Sequence, residues 1–426
     1  MNSFDNIIGY RSVKIELERI ADILRGNKTY SELGVRIPRG LLLHGEPGLG
    51  KTLMAKCLID ESGRTAFTCR KDKPDGEFVN HIKDTFEKAK EAAPSVVFLD
   101  DMDKFANEDE RHPDSDEYVA VQACIDEVKN HDVFVLATAN RIHHLPDSLL
   151  RAGRFDRVIE IESPSEEDAV KIIGHYLKDK KVSKDIDLRF ITRILNERSC
   201  AELETIINEA GIYAGFDKSP VITKKHFIDA CLKTVFHSPV DAFDGEKNDS
   251  FKRKLVAYHE AGHALINEIL EPGSVTLAVM YRNINKYGGF VSANYPKDRN
   301  PIPKQKNKAM VTLGGMASIE QTFGIHDGGA CNDLDRAFNI VEDLIKNQCI
   351  SGFHLHGDYE NSPDLLHEQE TAVSSEVDRL YRKTKEIIAA NKEFLDRLAA
   401  ELLENEILDM YDIERIKNEI KKQKAV

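Results

Sequence analysis

The sequence is short of several things, and each shortage narrows what it can be. No apolar stretch approaches the roughly 18 residues that cross a bilayer. The longer apolar runs, at 96–99 and 133–137, have the length of buried strands. The N-terminus, MNSFDNIIGYRS, lacks the basic-then-apolar order of a secretory signal. The seven cysteines, at 57, 69, 124, 200, 231, 331 and 349, include no pair at C-x-x-C spacing. An odd, scattered set suits a reducing cytoplasmic setting. Positive charge is also in deficit, with 59 Lys and Arg against 73 Asp and Glu, a net of −14. That balance argues against nucleic acid as a main partner, because phosphate-backbone affinity needs clustered cations. Internal repeats and low-complexity segments are absent too.

What is present is a globular composition, 41% apolar and 31% charged over 426 residues, enough for two or three domains. Over residues 1–162 strand-length apolar runs (40–44, 66–69, 95–100, 133–139) alternate with helical periodicity (12–25, 51–59, 77–92, 116–129). This alternation predicts an α/β unit with a parallel sheet and helices on both faces. Residues 163–236 read as helices only, opening at Ser163-Pro164-Ser165-Glu166-Glu167, a polar cap followed by acids. The polar stretch 237–250 reads as a linker. From 251 to 426 the pattern is mainly helical, with strands expected at 275–281 and 289–293, a loop at 298–303, and one long amphipathic helical run over 368–422.

Gly45-Glu46-Pro47-Gly48-Leu49-Gly50-Lys51-Thr52 fits G-x-x-x-x-G-K-[ST] between a strand and a helix, with Leu53 continuing the helix. The glycines allow backbone N–H groups to turn inward on phosphate oxygens, and the helix N-terminus adds its positive dipole end. Lys51 is placed for β- and γ-phosphates and Thr52 for Mg²⁺. The strand 96–99 ends in Asp100 and Asp101, the first suited to Mg²⁺ and the second to the attacking water. Asn140, at the end of the next apolar strand, is suited to orienting that water. Arg151 and Arg154 stand three apart, a spacing equally natural for surface ion pairs.

His259-Glu260-Ala261-Gly262-His263 fits H-E-x-x-H. On a helix, residues i and i+4 share a face, so both imidazoles can hold one Zn²⁺ with Glu260 beside them as general base. A helix with two surface histidines is the plainer alternative. No third histidine follows at H-x-x-G-x-x-H spacing, and the residues leave Glu320, His326, Asp327, Asp333 and Asp335 open as the third ligand.

In this order the motifs resemble the FtsH-type AAA metalloproteases, over residues 4–420. The resemblance takes in Asn6-Ile7-Ile8-Gly9, Ile37-Pro38-Arg39-Gly40, Ala137-Thr138-Ala139-Asn140-Arg141 and Leu150-Arg151-Ala152-Gly153-Arg154-Phe155-Asp156-Arg157. In the second half it takes in Ala257-Tyr258-His259-Glu260-Ala261-Gly262-His263, Leu313-Gly314-Gly315-Met316-Ala317 and Gly328-Gly329-Ala330-Cys331-Asn332-Asp333. It implies a multidomain fold, an α/β P-loop AAA domain with a helical lid followed by a mainly α-helical zinc metalloprotease domain. It implies ATP, Mg²⁺ and Zn²⁺ as cofactors and a ring of six. By resemblance Asp333 is the third zinc ligand, Arg151 and Arg154 are arginine fingers, and Asn140 senses the γ-phosphate. His175 lies near the ribose or base, and Ile8 and Gly9 border the adenine.

The sequence departs from the family in several places. Family members normally carry N-terminal membrane spans, and this chain opens on the ATPase part, like a soluble relative or a piece without them. The pore-loop position holds Lys73-Pro74-Asp75-Gly76, without the aromatic and apolar residues that grip polypeptide. Asp101 stands where Glu is usual. Val128-Lys129-Asn130-His131 occupies the place of an Asp-Gly-Phe intersubunit signal. The expected function is ATP-dependent zinc endopeptidase action on unfolded or weakly folded proteins. The pore-loop change keeps open a nucleotide-driven remodelling protein with a weak or specialised peptidase.

Overall fold

The computed structural model describes the chain except residues 1, 35–37, 72–76, 106–114, 152, 185, 238–249, 284–285, 296–300, 327, 358–361 and 425–426. The pore-loop stretch Lys73–Gly76, most of the expected linker and the candidate ligand Asp327 therefore lie outside the described residues. Residues Met1–Lys224 and Lys225–Val426 form two compact units.

The first unit begins with α1 (Arg11–Leu24) and α2 (Lys28–Glu32). Then β1 (Gly40–His44), α3 (Lys51–Ser62), β2 (Thr65–Cys69), α4 (Phe78–Glu91), β3 (Ser95–Leu99), α5 (Ser115–Glu127) and β4 (Val133–Ala139) alternate as expected. A fifth strand, β5 (Arg157–Glu160), completes a parallel sheet of order β2-β3-β4-β1-β5. The sequence reading missed β5, because only one of its four residues is buried and no apolar run marks it. Leu41, Leu42 and Leu43 of β1 and Val97 and Leu99 of β3 are wholly buried, as a strand covered on both faces requires. The register places Leu42 and Leu99 on either side of Ala137. The C-terminal ends of β1, β3 and β4 therefore lie side by side, and ligands of open α/β sheets bind at such an edge. Phe78 opens α4 and packs edge-on against Phe105, ring centroids 5.1 Å apart. Three helices follow, α6 (Glu166–Leu177), α7 (Leu188–Ile194) and α8 (Cys200–Phe216). Ser199 and Glu202 form a capping box at the start of α8.

The second unit holds α9 (Lys224–Thr234), which the sequence reading had grouped with the preceding helices. It continues with α10 (Ser250–Leu270), the hairpin β6 (Val275–Asn283) and β7 (Lys286–Ala293), α11 (Ile302–Phe323) and α12 (Cys331–Lys346). The expected C-terminal helical run is not continuous. It is α13 (Pro363–Ala390), α14 (Lys392–Asn405), a short strand β8 (Ile407–Asp409) and α15 (Met410–Lys424). Glu406 adopts a left-handed φ of 61° and ends α14, and Leu408 is fully buried where β8 pairs with β6. Ile-Leu-Asp carries no strand signature of its own. Its partner lies some 130 residues earlier (Ala278 to Leu408), so only tertiary pairing makes it a strand. The core of this unit gathers Ala257, Ala261, Ala264 and Leu265 of α10 with Leu313 and Ala317 of α11 and with the C-terminal helices.

Candidate functional site

At the sheet edge of the first unit, a cavity of about 630 Å³ is lined by Pro47, Gly48, Leu49, Gly50, Lys51, Thr52 and Leu53 of the glycine-rich turn. Ile8, Asp101, Asn140 and His175 also line it, and so does Lys104. Gly48 and Gly50 hold φ values of +80° and +87°, so the turn needs glycine there. Lys51 is nearly buried and its Nζ donates to the carbonyls of Gly45 and Glu46 at 2.7 and 2.8 Å. Burial lowers the Lys51 pKa from its ordinary value against the pull of the surrounding acids. Gly9 is not on the cavity wall. It turns the chain at φ +74°, with Asp168 where a Cβ would stand.

Asp100 lies beneath the wall, 4% exposed. Its Oδ1 accepts from Thr52 Oγ1 at 3.0 Å and from Thr138 Oγ1 at 2.8 Å, and its Oδ2 lies 3.4 Å from Arg70 Nη1. Thr138 Oγ1 also receives the N–H of Asp101 at 2.9 Å, which fixes Asp101 in a left-handed conformation, φ 54°. Asn140 receives support from Asp103 through its backbone N–H (3.1 Å) and aims its side-chain amide at Asp101 Oδ1 (3.5 Å). Arg151 and Arg154 do not line this cavity. Arg151 is exposed, and Arg154 forks onto Asp126 at 2.7 and 3.1 Å. That fork pulls the Asp126 carboxyl down to about 2.

The second constellation lies between α10, α11, α12 and β7. Within α10, His259 and His263 face the same way, with Nε2 atoms 3.0 Å apart. Asp333, in the first turn of α12, brings Oδ2 to 3.1 Å from His259 Nε2 and 3.4 Å from His263 Nε2. Among the described residues these three are the one group whose ligand atoms lie mutually within 4.8 Å. Of the other candidates, Glu320 is engaged by Tyr381 and Lys385, and His326 and Asp335 are exposed.

Two nitrogens and one carboxylate oxygen, converging on one point, match the three protein donors of a catalytic zinc. The Val311 carbonyl lies 2.7 Å from His263 Nδ1, which directs Nε2 inward. Without a metal, burial alone would lower the His263 pKa, but the Asp333 hydrogen bond and the Glu260 charge outweigh it and raise it. Burial would likewise raise Asp333, and its bonds to both histidines hold it far below the usual carboxylate range. A proton therefore gathers on His263, and a metal must displace it.

Glu260 is 4% exposed and its Oε2 has no protein partner. Burial pushes its pKa up against the histidine charges and the N–H of Gly289 in β7. A Cβ at Gly289 would stand 2.5 Å from Glu260 Cγ, so the strand backbone itself presses on this carboxylate. Gly315 of α11 has the same relation to His259, whose ring a Cβ would meet at 2.6 Å. Sequence reasoning missed Thr138, Asp103, Lys104, Gly289 and the Val311 carbonyl. Thr138 does carry a signal, as a polar residue in a wholly buried strand; the others carry none.

Residues 41–163 match the ATPase family associated with various cellular activities (AAA), and residues 247–416 match peptidase family M41. The ATP-dependent zinc metalloprotease FtsH 2 of Thermoanaerobacter sp. (strain X514) is 30% identical over 438 residues, covering 97% of this chain and 82% of the relative. FtsH of Sulfurovum sp. (strain NBC37-1) is 29% identical over 99% of this chain and 67% of its own length. FtsH of Mycoplasma pneumoniae is 31% identical over 97% of this chain and 62% of its own length. Both halves match in one order, and the chain belongs to the FtsH-type family of AAA ATP-dependent zinc metalloproteases.

Proposed function

We propose that the chain is an ATP-dependent zinc endopeptidase that uses ATP hydrolysis to deliver unfolded or weakly folded polypeptide to the His259–His263–Asp333 centre. The observation that carries this is the convergence of those three donors beside the buried, half-unpaired carboxylate of Glu260. Zn²⁺ supplies Lewis-acid polarisation of the scissile carbonyl and of the attacking water. Glu260 takes the water's proton at its carboxylate and passes it to the leaving nitrogen. The Gly289 N–H keeps the carboxylate turned toward the centre.

In the other unit, Lys51 and the turn amides hold the phosphates, while Thr52 and Asp100 hold Mg²⁺. Asp101 accepts the proton of the attacking water, with Asn140 orienting that water. His175 and Ile8 flank the base or ribose, with Gly9 supporting Ile8 from behind the wall. Arg151 and Arg154 act on the nucleotide of a neighbouring protomer in a homo-hexamer, Arg154 being steadied by Asp126. The chain is read as a large ATPase part (1–162), a helical lid (163–236), a linker (237–250) and a protease part (251–426). The protein works in the cytosol, consistent with its scattered cysteines. Among the described residues no helix is long and apolar enough to cross a membrane. The remodelling alternative rests on the pore-loop stretch alone, and the M41 match over 247–416 favours the peptidase.

The test is casein cleavage by wild type and Glu260→Gln, with zinc quantified and ATP present or absent. Zinc near one per chain and ATP-stimulated cleavage that the substitution abolishes are expected. Bound zinc with no cleavage by the wild type would overturn the peptidase reading.

A further inference from the structure

The acidic end of β3 carries a cation that the motif does not call for. Lys104 closes the single 3₁₀ turn Met102–Lys104, and its Nζ lies 2.7 Å from Asp101 Oδ2. The other oxygen of Asp101 faces the Asn140 amide, and its backbone N–H is tied to Thr138, so the carboxylate is held at both oxygens and the residue at three points. Lys104 also lines the cavity that contains Lys51, Thr52 and Asp101. Asp100, Asp101, Asp103 and Glu46 all act electrostatically on Lys51, and Arg70 meets Asp100 from outside. A triphosphate seated on this turn adds anions to a wall already rich in carboxylates, so each nearby cation matters to its binding. An ammonium has three N–H donors, and one to Asp101 leaves two.

We infer that Lys104 is a second cation of the nucleotide site, acting in cis, which donates to the γ-phosphoryl oxygens of a nucleoside triphosphate while keeping Asp101 in place. The inference rests on the nucleotide-site reading above. In hydrolysis the water oxygen bonds to the γ-phosphorus as its bond to the β,γ-bridging oxygen breaks. The electron pair leaves with the diphosphate, and the water's proton passes to Asp101. Charge on the γ-oxygens is where Lys104 donates. An ordinary i,i+3 surface pair such as Lys90–Glu87, at 3.0 Å on α4, has no such neighbour.

The experiment uses the full chain with Mg²⁺, measuring ATP turnover and the binding of fluorescent ADP and of the non-hydrolysable β,γ-imido triphosphate. Lys104→Met keeps the length of the side chain and removes its charge. It is expected to lower kcat about 10- to 100-fold, to weaken the imido triphosphate about five- to tenfold, and to leave ADP within about twofold. Lys104→Arg restores most of both, and Lys90→Ala matches the wild type. A Lys104→Met protein that turns over and binds like the wild type sinks the inference. Equal weakening of ADP and the imido triphosphate sinks it as well, since that reports a structural role. In both cases an active wild type leaves the nucleotide site standing, whereas a wild type without ATP turnover removes that reading itself.

Discussion

The two sites are assembled by opposite means. The nucleotide cavity is lined by the glycine-rich turn together with residues of α3, α6 and α8, at one sheet edge where three strand ends are brought level by parallel register. Its polar side chains share partners, Lys104 and Asn140 both meeting the Asp101 carboxylate. The zinc constellation is carried on helices pressed so close that glycines stand where side chains would collide. One site is built to respond to a ligand that comes and goes. The other is built to hold an arrangement, and the difference predicts how each will fail.

The sharpest break in the comparison is Glu260→Gln, or removal of zinc by a chelator. Casein cleavage should fall by about three orders of magnitude or more, while ATP turnover stays within about twofold. A parallel collapse of ATP turnover would show the units to be inseparable. The converse is Lys51→Ala, for which ATP hydrolysis should drop about 100-fold or more with zinc content unchanged by metal analysis. Next comes Gly315→Ala, whose methyl would press on the His259 ring. Zinc affinity in a chelator competition should weaken by about 10- to 100-fold, without loss of ATP turnover.

The smallest effect belongs to Glu376, which joins Arg379 and Lys306 at 2.7 and 2.9 Å. The Arg379 hydrogen bonds first, and then Lys306, pull its carboxyl from 4.5 to about 2 against burial. A depressed carboxyl stabilises fully above its unfolded pKa and loses that contribution as pH falls through its folded one. Glu376→Gln should therefore lower protease-unit stability by less than about 1 kcal/mol at neutral pH. That gap should close as pH falls from 4.5 toward 2 in thermal melts. A gap that widened in acid would refute the assignment.

Legibility in the sequence followed the same division. The α/β alternation of the first unit was readable because buried parallel strands are short apolar runs, and β5 escaped for want of one. The glycine-rich turn and its acids were readable because their chemistry is local in sequence. His259, Glu260 and His263 were readable from helical spacing, but the residues alone left five candidates for the third ligand. Asp333 lies 70 residues on, and only the packing of α12 against α10 and α11 brings its oxygen to the histidines. Gly289 and the Val311 carbonyl act through backbone geometry that no spacing rule encodes. The same holds for β8, a strand by virtue of β6 alone.

The helix glycines also bear on how this protein can be made hardier. A Cβ at Gly262 would meet the Gly314 carbonyl at 2.3 Å, and one at Gly314 would meet the Gly262 carbonyl at 2.8 Å. Each interior helix glycine forgoes about 0.5–1 kcal/mol relative to alanine, so α10 and α11 trade local helix strength for contact between their backbones. Gly215, inside α8, has nothing within 4 Å of such a Cβ. An engineer seeking thermal tolerance would recover that entropy at Gly215 and leave Gly262, Gly314 and Gly315 alone, because there the missing methyl groups are the fit.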